Sequence, residues 1–510
     1  MITQTLIVPQ QYRDSMSLMR LSSNFVARDG VIQFSAVMAT GANLDLLRNA
    51  GLLAGELEAG ANDLIIAVSG KDSATVESVL ADARTAIMES AVVSSGGGGR
   101  KETPIKSIGM AMENGRTFDL ALVSTPGEWA AHEAMKALIR GMHVMIFSDN
   151  VTIDDEAKLK RYAFARDLLV MGPDCGTAII AGVPLAFANV VRRGDIGVLG
   201  GSGTGMQEIT CLVDRLGAGI SHAIGTGGHD LSREVGGATT LLGIRMLADD
   251  PATKVIVLVS KPPAPEVATK VLEAASATGK EIVVNFIGLK GDLPNLPRLH
   301  KAETLEDAAV LAVKLTGSTL PVEPEDAAPS IPEFAKTQRF LRGLYSGGTF
   351  CYEASMLLQD LPGGLKSNTP ITSEQKMDNP WVSAGNCLVD MGDDEFTRGR
   401  PHPMMDPSLR QARILEEAKD PGTAVILLDV VIGHGSHADP AGALAGVVGE
   451  ARKIAAADGR NLVFVGSVCG TEGDPQRCAV QEKILRDAGV LLAGSTSRAV
   501  RLARSLLPVK

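Results

Sequence analysis

Short runs of β-branched and aliphatic residues recur along this chain, and each one is followed by glycine and then by a helix-like stretch. Examples are LIIAVSG at residues 64–70, IGVLGGSG at 196–203, VIVLVSKPP at 255–263 and VILLDVVIG at 425–433. Strands that are apolar on both faces and alternate with helices are typical of parallel sheets covered by helices on both sides. We therefore predict an α/β fold in which ligands bind at the carboxyl ends of the strands.

Shifts in composition divide the 510 residues into domains. The stretch SSGGGGRKETP, residues 94–104, predicts a flexible loop, and a new strand begins after residue 191. Residues 316–334 are rich in proline and acidic residues, which predicts an extended linker between domains. We assign this linker to residues 318–335.

The charge and the cysteine pattern restrict the class of protein. The formal net charge of −10 argues against a nucleic-acid partner or an anionic membrane surface, whereas a small anionic substrate responds only to the local field. The 6 cysteines are scattered without a C-x-x-C pair, as expected for reduced, packed thiols in a cytoplasmic protein. There is neither a signal-peptide pattern nor an apolar run of about 18 residues, so we expect no membrane span.

The stretch VLGGSGTGMQEIT, residues 198–210, has the order strand, glycine loop, helix start. Free backbone N–H groups and the positive end of the helix dipole converge at such a point and can hold an anion. Methionine stands where the dinucleotide fingerprint has its third glycine, and no lysine completes a Walker A loop. We predict that the loop binds a phosphate or carboxylate, the alternative being an ordinary strand-to-helix turn. The residues assigned to it are Ser202, Gly203, Thr204 and Gly205.

A weak internal repeat relates this loop to the stretch GLYSGGTFCYEA, residues 343–354. In both stretches a threonine is followed four residues later by a glutamate, and such a pair lies on one face of a helix. The repeat predicts a second anion-binding helix start, unless both turns simply need glycine and a cap. The residues concerned are Gly347, Gly348 and Thr349, with Glu208 and Glu353 as secondary candidates. We expect Glu208 to orient a neighbour or to cap its own helix.

Several other loops carry residues suited to anions. In GTGGHDLSREVGG, Gly227 and Gly228 are assigned to anion binding, and Arg233 is a natural fork for a carboxylate or phosphate unless it pairs with a neighbouring acid. In GRPHPMMDP, Arg400 and His402 lie between prolines that stiffen the loop, which could equally be a structural corner. We predict catalytic roles for Arg233, Arg400 and His402.

The remaining candidates follow predicted strands. Asp174 and Cys175 end one strand, and Cys175 is either a nucleophile or, as we expect, a packed thiol. His434 and His437, in GHGSHADP, belong to an anion-holding loop or a structural turn; their spacing is weak evidence for a metal, and we predict none. Lys261 also ends a strand and either meets an anion or is solvated.

Three segments in chain order, MGPDCGTAII, GDIGVLGGSGTGMQEI and HAIGTGGHDLSREVGG, resemble the α-subunits of succinyl-CoA synthetases. Together with LYSGGT, GRPHPMMDPSLR and LLDVVIGHGSHADPAG, they are more similar to the FdrA family, in which a second ligase-like domain is fused at the C-terminus. The resemblance implies a Rossmann-like, CoA-binding-type domain over residues 1–190. It further implies two flavodoxin-like, ligase-type domains with parallel sheets, over residues 191–317 and 336–510.

The resemblance also implies particular chemistry. Acyl-CoA synthetases of this superfamily use a glycine-rich N-terminal turn, a phosphorylated histidine in a G-H-A-G loop and an ATP-grasp domain. Here the early turn VPQQYRDSMSLMRLS has no glycine, His300 lies in the unrelated context PRLHKAE, and no spare length would encode an ATP-grasp domain. The FdrA resemblance implies instead a carbamoyltransferase subunit of purine (allantoin) catabolism, acting on carbamoyl phosphate and oxamate.

Two alternatives stay open beside the carbamoyltransferase. One is an acyl-CoA synthetase-like ligase that takes its nucleotide site from a partner subunit. The other is a non-catalytic scaffold that binds CoA or another metabolite. No cofactor is certain, although CoA is possible, and we expect a homo-oligomer or a complex with other subunits of the pathway.

Overall fold

The computed structural model describes residues 2–93 apart from residues 10, 12, 14, 27, 54–56, 58 and 61, together with residues 105–321, 333–398 and 400–507. The chain forms two compact units. The first comprises Met1–Lys106 with Thr397–Pro401, and the second comprises Ser107–Phe396 with His402–Lys510. Residues 94–104 and 322–332, for which the sequence predicts a flexible loop and most of a linker, lie outside the described residues. Among the helices described, none is both long and apolar enough to cross a membrane.

The first unit contains an antiparallel sheet in the order β1-β3-β2. The central strand is buried on both faces because its side chains enter two separate apolar clusters, Leu64 and Ile66 on one side and Ile65 and Ala67 on the other. The elements are β1 (Ile2–Val8), α1 (Ser15–Val26), β2 (Val31–Met38), α2 (Gly41–Asn49), β3 (Leu64–Gly70) and α3 (Ser73–Val93).

The second unit begins with a three-stranded parallel sheet in the order β4-β5-β6. Its elements are α4 (Ile108–Ala111), β4 (Leu120–Val123), α5 (Gly127–Ile139), β5 (His143–Ile146), α6 (Ile153–Phe164) and β6 (Val170–Met171).

A seven-stranded sheet follows in the order β13-β12-β11-β9-β10-β7-β8. Its strands pair in parallel except at one edge, where β7 pairs antiparallel with both β10 and β8. The elements are β7 (Thr177–Ile180), β8 (Val183–Ala186), β9 (Arg193–Gly200), α7 (Gly203–Arg215), β10 (Ile220–Gly225), α8 (Ala238–Asp249), β11 (Val255–Ser260), α9 (Pro265–Ser276), β12 (Glu281–Phe286), β13 (Leu299–Lys301) and α10 (Leu305–Leu315).

A six-stranded, wholly parallel sheet in the order β15-β16-β14-β17-β18-β19 completes the unit. Its elements are β14 (Phe340–Tyr345), α11 (Gly348–Leu357), β15 (Lys366–Ser367), β16 (Cys387–Asp390), α12 (Asp394–Thr397), α13 (Ser408–Lys419), β17 (Thr423–Val431), α14 (Pro440–Ala457), β18 (Val463–Cys469), α15 (Cys478–Asp487), β19 (Leu491–Leu492) and α16 (Thr496–Ser505). The predicted α/β fold with several parallel sheets is confirmed.

The structure differs from the predicted single domain over residues 1–190. Residues 1–106 form their own unit, because the apolar run at 64–70 is the middle strand of an antiparallel sheet and not a parallel strand. At the other end, β7 pairs with β10 at Ile179 and Ala223, so the seven-stranded sheet includes residues that precede the predicted boundary at 190.

The two large sheets are joined by four helices, α7 and α10 from one side and α11 and α16 from the other, whose apolar faces share one core. A buried glutamate crosses the junction in each direction. The Thr496 N–H at the start of α16 donates to Glu208 Oε1 of α7 at 2.9 Å, and the Leu305 N–H at the start of α10 donates to Glu353 Oε1 of α11 at 2.7 Å. Each carboxyl therefore caps a helix of the opposite sheet. Of the two expectations for Glu208, the structure shows a contact with a neighbouring element and, among the described residues, no cap of its own helix.

Glu353 makes the stability of this junction depend on pH. Burial raises the pKa of Glu353 to about 8, and the nearby Glu208 and Glu306 carboxyls add to the shift. The folded chain therefore holds a proton that the unfolded chain releases near the ordinary pKa of 4.5. The stability that the folded chain gains by holding this proton is complete below the unfolded pKa of 4.5. It is lost as the pH rises to the folded pKa of about 8.

We expect Glu353→Gln to remove that loss, because the amide keeps an oxygen for the Leu305 N–H and does not ionise. Between pH 5 and pH 8.5, thermal unfolding should show the wild-type chain losing stability relative to the variant, by on the order of 1 kcal/mol for each pH unit. Glu416→Gln, at an exposed ion pair with Lys419, is the control. Parallel pH curves for wild type and Glu353→Gln would contradict the assignment.

A buried lysine attaches α6 to the loop that follows β10. Lys160 Nζ donates to Glu156 Oε1 at 2.7 Å, to Asp230 Oδ1 at 2.9 Å and to the Thr226 carbonyl at 2.7 Å. The side chains of all three ionic partners are 0–1% exposed. Asp230 in turn accepts the N–H of Thr240 at 2.9 Å, so the network fixes the loop against α8.

Replacing Lys160 with methionine should destabilise the second unit by about 3–5 kcal/mol, because two buried carboxylates lose their cation. The matched control is Lys158→Met in the same helix, where an exposed pair with Asp155 contributes less than about 1 kcal/mol. Urea unfolding followed by circular dichroism measures both. Equal effects of the two substitutions would show that the buried network is not required.

Candidate functional site

The two glycine loops lie at the topological switch points of the two large sheets. The loop at residues 200–205 follows β9, which has β11 on one side and β10 on the other. The loop at residues 346–349 follows β14, which lies between β16 and β17. In open parallel sheets, ligand crevices form outside the carboxyl ends of the strands at these points. Both loops therefore occupy positions where binding sites are expected.

The structure brings the two loops together. Ser202 Oγ and Thr349 Oγ1 share a hydrogen bond across the junction. A β-carbon added at Gly347 would lie 3.0 Å from Thr204 Cγ2, and one added at Gly205 would lie 3.1 Å from Thr349 Cγ2. The N-terminal turns of α7 and α11 are thus adjacent, and the positive ends of two helix dipoles act on the same small region.

Glycine is required around the start of α7 because backbone segments approach closely there. A β-carbon at Gly201 would lie 3.0 Å from the Gly227 carbonyl oxygen, and one at Gly203 would lie 3.3 Å from Thr177 Oγ1. Gly227 itself has φ +83°, and a β-carbon added there would lie only 2.7 Å from the Pro173 carbonyl oxygen. The structure therefore brings Gly227 to the first loop, whereas its predicted role in anion binding stays a prediction.

Gly228 follows Gly227 in the loop after β10, and a β-carbon added there would lie 3.9 Å from the Gly201 carbonyl oxygen. Ser202 is the N-cap of α7, and its Oγ accepts the Gly205 N–H at 3.1 Å. The earlier N–H groups of the first turn, from Gly203 and Thr204, have no intrahelical acceptor. These two groups are the donors that α7 presents to a ligand.

The start of α11 is built with carboxylates. Asp429 of β17 accepts the N–H groups of Ser346 and Gly347, each at 2.8 Å, and the Ser346 hydroxyl at 2.9 Å. Arg410 Nη1 donates to Asp429 Oδ1 at 2.6 Å, and both side chains are buried. The position that a serine cap holds in the first loop is therefore held by a buried ion pair in the second.

Asp390, at the carboxyl end of β16, lies against the first residue of α11. A β-carbon at Gly348 would come within 2.5 Å of Asp390 Oδ2, so only glycine allows this approach. Burial raises the pKa of Asp390 to about 7, Asp393 adds to the rise, and Lys261 opposes it. The carboxyl therefore changes charge close to neutral pH.

His402 lies beside Asp390. Its Nδ1 accepts the Met404 N–H at 3.2 Å, which places the imidazole proton on Nε2. A β-carbon at Gly392 would lie 2.6 Å from His402 Nε2 and 3.2 Å from Asp390 Oδ1. Burial lowers the pKa of His402 to about 4, so the ring is neutral at pH 7. Of the three predicted catalytic residues, His402 is the one that the structure brings to the second loop.

Lys261 supplies positive charge between the sheets. It follows β11, and its Nζ lies 5.3 Å from the ring centroid of Tyr352 on α11. Its charge lowers the pKa values of both Asp174 and Asp390. Burial nevertheless raises the pKa of Asp174 to about 6, with Asp149 adding to the shift. The exposed ammonium group of Lys261 therefore lies near two carboxyls with raised pKa values, Asp174 and Asp390.

The structure does not bring Arg233 to the glycine loops, and Arg400 is described with the first unit. Arg233 is on the surface, with its side chain 76% exposed and paired with Glu266. A surface ion pair was the alternative that the sequence left open for Arg233. The partner is Glu266, which is farther along the chain than the neighbouring acids considered there. Arg400 belongs to the segment that clusters with the first unit. The catalytic assignments of both residues therefore receive no support from the geometry.

The remaining candidates have structural roles. All six cysteines are buried and unpaired, and burial raises the pKa of Cys175 to about 12, so it is a packed thiol and not a nucleophile. His437 Nδ1 accepts the Asp439 N–H at 3.0 Å, and Asp439 caps α14. The His434 N–H donates to the Ala188 carbonyl at 2.9 Å in the same turn. These hydrogen bonds are compatible with the structural turn, and the anion-holding alternative for His434 and His437 stays a prediction.

Sequence reasoning missed Asp390 and Asp429. Asp390 ends the apolar run CLVD, so the rule that ligand groups follow strands could have found it. Asp429 lies inside the run TAVILLDVV, two residues before the strand ends, and a buried acid within a strand gives no such signal.

Three family models match different parts of the chain. One described as "AllF, heavy metal-associated domain" matches residues 1–104, the CoA binding domain matches 191–288, and the CoA-ligase model matches 344–506. The CoA-binding model thus covers most of the seven-stranded sheet, whereas the sequence prediction assigned that type to residues 1–190. The CoA-ligase model includes the second glycine loop, Asp390 and His402.

A heavy-metal site does not fit the residues of the first unit. Residues 1–104 contain neither cysteine nor histidine, the side chains that bind such metals most strongly. Within the described parts of the chain, no group of three or more His, Cys, Asp or Glu residues could hold a metal ion.

The chain is similar to known proteins over its whole length. The uncharacterized protein YahF of Escherichia coli K12 is 42% identical over 519 aligned positions, which cover 99% of each chain. A succinate–CoA ligase α-subunit of Archaeoglobus fulgidus is 26% identical over 145 residues, covering 28% of this chain and 49% of that relative. The apo structure of an acetyl-coenzyme A synthetase of Ca. Korarchaeum cryptofilum aligns with 16% identity and a TM-score of 0.34, over 82% of this chain and 91% of that one. The chain contains a CoA-binding domain and a CoA-ligase domain, and it belongs to the same family as YahF.

Proposed function

We propose that this chain is an acyl-CoA synthetase-like enzyme that binds a phosphate-bearing acyl group between the N-termini of α7 and α11. The observation that carries the proposal is the direct contact of the two glycine loops through Ser202 and Thr349. Two helix starts that meet at the switch points of two sheets concentrate backbone N–H donors on one anion.

The donor arrangement suits a reaction that releases phosphate. Charge develops on the phosphate oxygens when an acyl phosphate is cleaved, and fixed N–H groups stabilise that charge without reorganising. The N–H groups of Gly203 and Thr204 serve this purpose on α7, and Lys261 adds a full positive charge. If CoA is bound, its thiol would accept the acyl group while these residues hold phosphate.

A second candidate is carbamoyl transfer between carbamoyl phosphate and oxamate. The observation that favours it concerns His300, which lies on β13 with its Nε2 2.6 Å from Glu281 Oε2. Strand β13 is the outermost strand of its sheet and Glu281 begins β12, so His300 is engaged away from the glycine loops. Carbamoyl phosphate arrives already activated and needs no histidine to carry phosphate.

We further propose that the chain works in the cytoplasm and together with other subunits. The six buried, unpaired thiols suit a reducing compartment. An ATP-dependent reaction would need a nucleotide site from a partner, whereas a reaction of carbamoyl phosphate would not.

Lys261 provides the first test of the anion site. Sulfate is a suitable probe, because its charge is constant over the working pH range. Lys261→Met should weaken sulfate binding on the order of tenfold at low salt, because a unit charge near the anion is lost. Lys254→Met is the matched control, since Lys254 precedes β11 and pairs with Asp195 at the opposite end of the strand. Calorimetry that finds no sulfate binding, or equal binding in both variants, would contradict the proposed site.

The two candidate reactions are separated by their products. The full chain, purified alone and with co-expressed partner subunits, is incubated with acetyl phosphate and CoA, and separately with carbamoyl phosphate and oxamate. Formation of acetyl-CoA supports the synthetase-like reaction, and oxamate-dependent release of phosphate supports carbamoyl transfer. Phosphate release should fall in Lys261→Met and not in Lys254→Met. The absence of both products would overturn the proposed function.

A further inference from the structure

We propose that Asp390 is the general base of this site and that His402 Nε2–H is the donor that polarises the substrate carbonyl. The inference rests on the proposed function, because it requires an acyl or carbamoyl phosphate bound beside α11. Neither residue is needed to hold the phosphate itself, so the inference can fail while the anion site stands.

The two groups converge at one point next to the start of α11. His402 Nε2 and Asp390 Oδ1 both lie within 3.2 Å of the position of a β-carbon at Gly392, while Asp390 Oδ2 lies 2.5 Å from that of a β-carbon at Gly348. Asp390 therefore has one carboxyl oxygen on the side of His402 and the other beside Gly348, the first residue of α11. Two glycines keep this space free of side chains.

His402 has a donor to offer. Its Nδ1 is engaged by the Met404 N–H at 3.2 Å, which leaves the proton on Nε2. Among the described residues, no group accepts that Nε2–H. A neutral imidazole that donates one hydrogen bond can stabilise the oxyanion of a carbonyl under attack without first losing a proton.

Asp390 has an acceptor to offer. Its Oδ1 accepts the Gly392 N–H at 2.9 Å, and its backbone is held by Asn368, whose Oδ1 accepts the Asp390 N–H at 2.8 Å. Oδ2 forms no hydrogen bond with the described chain. The carboxyl is thus fixed through its backbone and one oxygen, and the other oxygen is available to a substrate.

The charged groups that face Asp390 come from several elements. Asp393 follows on the same loop, Asp429 of β17 with its partner Arg410 of α13 lies two strands away in the same sheet, and Lys261 comes from the other sheet. The carboxylates and burial favour the protonated form, and Lys261 and the Gly392 N–H favour the ionised form. The balance leaves both forms of Asp390 populated near pH 7, as a general base requires.

In the proposed transfer step, the Asp390 carboxylate takes the proton of an attacking thiol, amine or amide as the new bond to the acyl carbon forms. His402 Nε2–H donates to the carbonyl oxygen while that oxygen carries negative charge. The bond between the acyl carbon and the phosphate oxygen then breaks, and phosphate leaves with the electron pair. Asp390 passes its proton to the departing phosphate, which regenerates the carboxylate.

The pH dependence of sulfate binding tests whether Asp390 faces the anion. As Asp390 ionises, the affinity of wild type should fall on the order of tenfold between pH 6.5 and pH 8.5. In Asp390→Asn made in the Glu353→Gln background, the affinity should be constant over that range; the background is needed because Glu353 of α11, with a pKa of about 8, ionises in the same interval. Asp174, whose pKa is raised only to about 6, titrates mostly below it. Asp360→Asn, at an exposed pair with Arg504, is the control.

The wild-type measurement is decisive even if the variant misfolds. A sulfate affinity that does not change with pH in wild type, or the same slope in Asp390→Asn, overturns the role of Asp390 and leaves the anion site intact. No sulfate binding in wild type overturns the anion site itself, and the inference with it.

Turnover tests the base directly. With whichever reaction the product assay detects, Asp390→Asn should lower kcat on the order of 10²- to 10⁴-fold and abolish the limb of the pH–rate profile near pH 7. A kcat within a few-fold of wild type overturns the assignment.

His402 is tested by comparing acetyl phosphate, which has a carbonyl, with sulfate, which has none. His402→Phe should weaken acetyl phosphate binding about fivefold relative to sulfate, as expected for one lost hydrogen bond, and His402→Gln should restore part of it. Equal losses for both ligands would mean that His402 only shapes the loop, and no loss would mean that it does not contact the substrate.

Discussion

The candidate site depends on the two glutamates that cap helices of the opposite sheet. Glu208 and Glu353 each accept the first N–H of a helix that the other sheet supplies. Without them, two buried helix ends would lack acceptors, which costs far more than the hydrogen bonds return when formed. Each sheet therefore completes the other. The two glutamates lie on α7 and α11, and the glycine loops precede these same two helices. The capping that joins the sheets therefore also sets the distance between the loops.

The two halves of the junction are similar in backbone and different in charge. The first loop is capped by the neutral Ser202, while the second is held by the ion pair of Asp429 and Arg410. The second also has Asp390 against its first helical residue. The two helix starts that the predicted repeat relates therefore differ in their charged groups. In the proposed site, the first half would present N–H donors to an anion and the second would present groups that can move a proton. A symmetric pair of phosphate loops would bind an anion but would have no group to activate a nucleophile.

Much of this organisation is readable from sequence, and the remainder depends on long-range contacts. The alternation of apolar strands with glycine turns gives the α/β fold, and the repeat of Thr204 with Glu208 in Thr349 with Glu353 indicates related helix starts. The pattern does not reveal that the glutamates are exchanged, because Glu208 meets a residue 288 positions away. The pairing of Arg233 was not predictable for the same reason, since its partner Glu266 lies 33 positions along the chain. The first domain boundary failed because a middle strand of a three-stranded antiparallel sheet, covered on both faces, has the same apolar run as a parallel strand.

Opposing electrostatic effects act on Asp390, and their balance indicates the nature of the site. The N-terminus of α11 favours the ionised carboxyl, as do Lys261 and the Gly392 N–H, yet burial raises the pKa of Asp390 to about 7. Desolvation therefore outweighs three favourable influences at this position. The same desolvation makes each N–H donor at the loops stronger, because water competes poorly there. In the proposed transfer, Asp390 becomes neutral when it takes the proton of the nucleophile, which lessens its repulsion of the bound phosphate, and release of that proton to the leaving phosphate restores the repulsion. The proposed base would thereby couple the departure of phosphate to the movement of a single proton.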